Sequence, residues 1–219
     1  MNKEWSDTNK KIQILLNKKE TFELAITTIT ELRNDLFNEI QLYRKKLSQE
    51  DYSLAPFIKS KGYENKTVAY SIYHIFRIED IVCNILIGKK RDILNKNGYD
   101  KKLGITVIKT GNELSLSDVV DESKRMNIDE LYNYISDVYK ETDIFLKKLK
   151  YEDLKVRFDN QDIMRLNKEN VVSEDESAAW LINYWCKKDI KGLLKMPFTR
   201  HWIMHIEASN RIIGKMKIK

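Results

Sequence analysis

Apolar residues recur along this chain at steps of three and four. Phe22, Ala25, Ile29, Leu32, Leu36, Ile40, Tyr43 and Leu47 define one face of a helix of more than about six turns. Ile12, Leu15 and Leu16 precede it as a lead-in helix or as its first turns. Residues 48–66, with Pro56 and Gly62, read as a loop. Thr67 or Asn65 can cap a second helix that Gly88 ends. Its apolar positions form two stripes: Ile72, Ile75, Val82 and Leu86, then Tyr70, Ile78, Ile81 and Ile85. So wide an apolar arc predicts a buried, central helix.

Between residues 89 and 126 the pattern is irregular, broken by Gly98, Gly104 and Gly111, and reads as a crossover or a functional loop. Ser115 or Ser117 can start a short helix there, near Asp118–Met126. Asn127 and Glu130 have capping-box spacing before a third long stripe of Leu131, Ile135, Val138, Ile144 (or Phe145) and Leu149. Residues 151–172 are ambiguous. Ser173 to Glu176 predicts a helix start, with Trp180, Leu181, Tyr184 and Trp185 behind it. Pro197 suits the first turn of a last helix carrying Phe198, His201, Trp202, His205, Ser209, Ile212 and Met216 on one face. Four long helices with a long crossover between the second and third predict an all-α four-helix bundle, a single domain over residues 1–219.

Seven Gly and two Pro in 219 residues count against a turn-rich, many-stranded fold. No apolar run is long enough for a transmembrane span, and the first residues have no signal-peptide character, so no membrane association is expected. The two cysteines, Cys83 and Cys186, sit in apolar helical stretches and read as buried free thiols of a cytoplasmic protein. The net charge of +6 permits anionic partners. Its densest spots, Lys89-Lys90-Arg91, Lys187-Lys188 and Lys215, Lys217, Lys219, fall at helix C-termini, where cations suit the helix dipole. That placement favours helix capping over a nucleic-acid footprint.

There are three histidines. His201 and His205 are four apart and project from one helix face. His74 lies on an apolar stripe of the helix predicted to be most buried. An i, i+4 pair with a third imidazole from another helix can bind one metal ion, whereas separate hydrogen-bonded core histidines are the alternative.

The stretches Tyr73-His74-Ile75-Phe76-Arg77-Ile78-Glu79-Asp80 and Pro197-Phe198-Thr199-Arg200-His201-Trp202-Ile203-Met204-His205, in this element order, resemble the DinB-like (DinB/YfiT) superfamily. The resemblance spans nearly the whole chain in element order. It implies an up-down-down-up bundle and a divalent metal, often nickel or zinc, at the positions matched by His74, His201 and His205. It further implies a homodimer and, in some members, thiol-dependent S-transfer or isomerisation with a low-molecular-weight thiol. The extended 89–126 segment and the inserted-looking 151–196 region depart from compact members.

Three neutral imidazoles leave coordination positions open, the pattern of a catalytic site acting on a small-molecule substrate or thiol, by S-transfer or hydrolysis. Arg77, three residues after His74, shares its helix face; it either holds a substrate or thiol carboxylate as a catalytic group or pairs with an acid. Glu79 and Asp80 can orient a ligand imidazole only by reaching His201 or His205. Tyr70, Tyr73 and Trp202 either line a pocket beside the metal or belong to the core. The alternatives to an enzyme are a non-catalytic bundle acting through protein contacts and a basic nucleic-acid-binding helical protein.

Overall fold

A computed structural model describes residues 2–60 and 62–216, and among these the chain is helical with no strands. The basic tail positions Lys217 and Lys219 lie outside the described residues. The lead-in segment is a helix of its own, α1 (Lys3–Leu15), whose N-terminus is capped by the Asn2 side chain. Helix α2 (Phe22–Lys46) buries Phe22, Ala25, Ile29, Leu32, Leu36, Ile40 and Tyr43, the stripe expected, and adds a buried Arg33. Leu47 lies just beyond its end.

Thr67 caps α3 (Val68–Asp80) by accepting from the Tyr70 N–H at 3.1 Å. The helix continues as a π-turn over Ile81–Ile87 and stops at Gly88. Of its thirteen residues only Tyr70 is not buried, in keeping with its apolar arc.

The irregular 89–126 region holds three short helices: α4 (Ile93–Lys96), α5 (Tyr99–Lys102) and α6 (Leu116–Arg125). Ser115 and Asp118 form a complete capping box at the start of α6. Helix α7 (Ile128–Lys148) is capped by Asn127. Its inward face runs through Thr142 and Leu146, so Ile144 is exposed and Phe145 only half-buried. The polar Thr142 hides this phase from a hydropathy pattern.

Helix α8 (Asn160–Lys168) occupies the ambiguous region. Helix α9 (Glu176–Cys186) starts at Asp175, not Ser173, because the Asp175 carboxylate accepts from the Ser177 N–H at 2.9 Å. Trp180 lies on its outer face, half-exposed. Helix α10 (Ile190–Lys195) leads into a π-turn over Met196–Arg200 containing Pro197, and then α11 (His201–Met216).

Helix α3 packs against α7 and α11, and α2 packs against the same two helices, with α1 alongside α2. A single hydrophobic cluster draws residues from every helix from α1 to α11 except α6. No helix among the described residues is long and apolar enough to cross a membrane. The basic run after the α3 π-turn is neutralised in part by ion pairs, Lys89 with Asp162 and Lys90 with Glu141.

Candidate metal centre

The packing of α3 on α11 brings the three histidines together. One ring nitrogen from each of His74, His201 and His205 lies within 4.8 Å of the others. Ring centroids are 5.0 Å apart for His74 and His201, 4.8 Å for His74 and His205, and 4.6 Å for His201 and His205. All three rings are buried. Helical geometry alone sets His201 and His205 side by side; His74 arrives from a helix more than a hundred residues earlier.

His74 Nδ1 lies 2.7 Å from the backbone carbonyl oxygen of Thr110. A carbonyl only accepts, so Nδ1 carries the proton and Nε2 keeps its lone pair. That bond is the outer contact by which proteins fix the tautomer and direction of a ligating imidazole.

Burial pushes the pKa of His74 down to about 4, against the opposing effect of the Thr110 bond. Burial also drives His201 and His205 well below the ordinary histidine value, with repulsion from the neighbouring imidazoles adding to it. All three are therefore neutral at pH 7, the form that ligates metal. Nδ1 of His201 and Nδ1 of His205 are buried without a hydrogen-bond partner among the described residues. Each such orphan costs roughly 1–3 kcal/mol if nothing binds there. Three neutral nitrogen donors with unsatisfied buried polar atoms among them fit a borderline-soft divalent ion such as zinc or nickel.

A cleft of about 330 Å³ opens onto His74 and His205, lined also by Glu64, Asn65, Lys66, Tyr70 and Asn112. Tyr70 lines this cleft: its ring stacks on His74 at 5.4 Å between centroids, and its hydroxyl donates to the Gly111 carbonyl at 3.0 Å. A larger cleft, about 490 Å³, shares no lining residue with this one; two of its cations, Arg44 and Arg125, are paired with Asp129 and Glu122.

Arg77 takes the salt-bridge alternative. Its guanidinium donates to Asp92 at 2.7 Å, with Asp80 at 3.6 Å, and its Nε donates to the Ile108 carbonyl at 2.8 Å. It is 1% exposed and does not line the cleft. Trp202 is likewise a core residue and no part of the cleft wall: its Nε1 donates to Glu79 at 2.8 Å and its ring lies 4.4 Å beneath the Arg33 guanidinium. Glu79 is held by two bonds from Arg33, each 2.6 Å, and Arg33 also donates to the Phe198 carbonyl in the π-turn ahead of His201. Asp80 accepts from the Ile93 and Leu94 N–H groups at the start of α4. Neither acid touches a histidine in the hydrogen-bond network; Glu79 ties α2, α3 and α11 together, and Asp80 ties α3 to α4 and α7.

Tyr70, His74 and Arg77 together form a ladder the sequence did not reveal. Spaced at i, i+4 and i+7 on α3, they donate in turn to the carbonyls of Gly111, Thr110 and Ile108. Gly111 makes this possible. Its φ is +75°, and an added Cβ would stand 3.0 Å from the Tyr70 ring. Thr110 was invisible because it acts through a backbone atom every residue possesses. Lys66 had a usable signal: a cation directly before an N-cap sits at the unfavourable end of the helix dipole.

No known family model matches the chain, and no curated protein matches it either. Among solved structures, it is similar to the crystal structure of the conserved protein of locus from Enterococcus faecalis. That similarity has a TM-score of 0.55 at 12% identity and covers 86% of this chain and 96% of the other. At such identity the likeness concerns the helical fold alone.

Proposed function

We propose that this chain is a divalent-metal-binding protein of DinB-like type, a metal-dependent enzyme acting as a thiol S-transferase or hydrolase on a small molecule. In this reading α2, α3, α7 and α11 are the four helices of an up-down-down-up bundle, and residues 89–126 are its crossover. The observation that carries the proposal is the convergence of His74, His201 and His205, neutral and buried, beside a cleft that His74 and His205 line. The cytoplasm and a homodimeric state belong to the same reading.

A nickel or zinc ion held there would act as a Lewis acid that ionises a bound water or thiol at neutral pH. The protein's part is positioning. The Thr110 carbonyl holds the His74 proton at Nδ1, Tyr70 packs on the ring, and α11 keeps His201 and His205 on one face. Cys83 and Cys186 are buried, with thiol pKa values pushed up by desolvation, so any attacking thiol comes from the ligand.

Elemental mass spectrometry on untagged protein, beside a His201→Ala/His205→Ala double variant, tests the site. Near-stoichiometric nickel or zinc that is lost in the variant is expected, followed by a screen for S-conjugation and hydrolysis. Wild-type protein that stays metal-free after reconstitution overturns the proposal.

A further inference from the structure

Lys66 stands apart among the cations around the histidines. It is half-buried in the cleft wall together with His74 and His205. No carboxylate among the described residues lies within ion-pair distance of its ammonium, which lies 5.6 Å from the centroid of the Tyr63 ring. Glu64 is the one acid lining the cleft; its carboxylate accepts from the Tyr63 N–H at 2.8 Å and attracts Lys66 from beyond ion-pair distance.

Lys66 and Glu64 are opposite in sign, so an ion held by the histidines would leave the cleft positive. Three imidazoles contribute no negative charge, so a divalent ion bound to them keeps its full charge. The N-terminus of α3 begins one residue after Lys66 and adds positive potential at that end. Asn65 and Asn112 place amide groups on the same wall. No described carboxylate contacts the half-buried Lys66 ammonium directly, which leaves its hydrogen bonds open to an oxyanion of the ligand.

We propose that Lys66 is an anion-binding, specificity-determining residue, and that the small-molecule ligand of this cleft carries an oxyanion, carboxylate or phosphate, that pairs with it. The inference rests on the three-histidine reading above, and it restricts the ligand to anionic small molecules. An electrophile or thiol bearing a carboxylate meets it; a neutral hydrophobic one does not.

The test uses cobalt(II)-loaded wild type, Lys66→Met and Lys66→Arg, with cobalt content measured on each sample. Sodium acetate, inorganic phosphate and neutral acetamide are titrated in and read by the visible absorption of the ion. Acetate or phosphate is expected to bind Lys66→Met roughly tenfold more weakly than wild type, with Lys66→Arg retaining most of the affinity. Acetamide is expected to treat the three proteins alike. The anion with the larger dependence on Lys66 identifies the oxyanion class. Equal anion affinity in wild type and Lys66→Met, at equal cobalt content, overturns this inference and leaves the metal site standing. Wild-type protein that takes up no cobalt overturns the metal reading instead. The Lys66 contact is then decided on metal-free protein by the same titrations, followed through the imidazole proton resonances of His74 and His205. Shifts that depend on Lys66 support it, and their absence overturns it.

Discussion

His74 donates its Nδ1 proton to the backbone carbonyl of Thr110 across 2.7 Å, a bond that couples the second long helix to the irregular segment passing over it. The direction of one imidazole thus depends on a chain segment with no regular structure of its own. Tyr70 and Arg77 hold that segment on either side, through the carbonyls of Gly111 and Ile108.

Gly111→Ala is expected to disturb this coupling. A non-glycine residue at φ +75° is strained, and the new methyl meets the Tyr70 ring at 3.0 Å. Thermal unfolding should show a loss of about 1–3 kcal/mol. Competition with a chromophoric chelator should show metal affinity falling roughly tenfold or more as the Thr110 carbonyl moves off His74. Unchanged chelator competition would mean that Thr110 does not orient the ligand.

Arg77→Met is expected to act on stability before it acts on chemistry. It strands Asp92, which is buried, and should cost about 3–5 kcal/mol in denaturant unfolding. Arg77→Met/Asp92→Leu removes both charges and should regain part of that loss. A group reaching ligand in the cleft would give the opposite pattern: little change in stability, and no recovery of ligand binding in the double variant.

The two thiols should be nearly silent in the native protein. Burial raises Cys83 to about 12 and Cys186 to about 11, from a usual value of 9.0. At pH 8 the thiolate fraction is then roughly a hundredfold lower for Cys186, and about a thousandfold lower for Cys83, than for an exposed thiol. An aromatic disulfide reagent should label neither residue quickly until denaturant is added, when both react. The sign with pH follows: the native state keeps protons that the unfolded chain releases above about pH 9, so this contribution to stability is present below that pH and lost as pH rises toward 11 to 12. Rapid native labelling of either cysteine at pH 8 would contradict the burial.

Much of this protein was legible in the chain because it is local. The inward stripe of α2, the Thr67 cap and Gly88 stop of α3, the Asn127 cap of α7 and the shared face of His201 and His205 all follow from helical periodicity and capping chemistry over a few residues. Tertiary packing decided which partner each buried polar group met. Arg77 shares a helix face with His74, as its spacing requires, yet its charge is answered by Asp92, fifteen residues away, and not by a ligand. Trp202 sits one residue from His201 but points its indole N–H at Glu79, 123 residues earlier, inside the Arg33 pair. Thr110 contributes only a carbonyl oxygen, and residue type says nothing about where a carbonyl will point. Periodicity specifies a face; which groups oppose that face depends on how distant segments pack, and here that packing turned two expected site residues into its supports and put Lys66 in one cleft wall with His74 and His205.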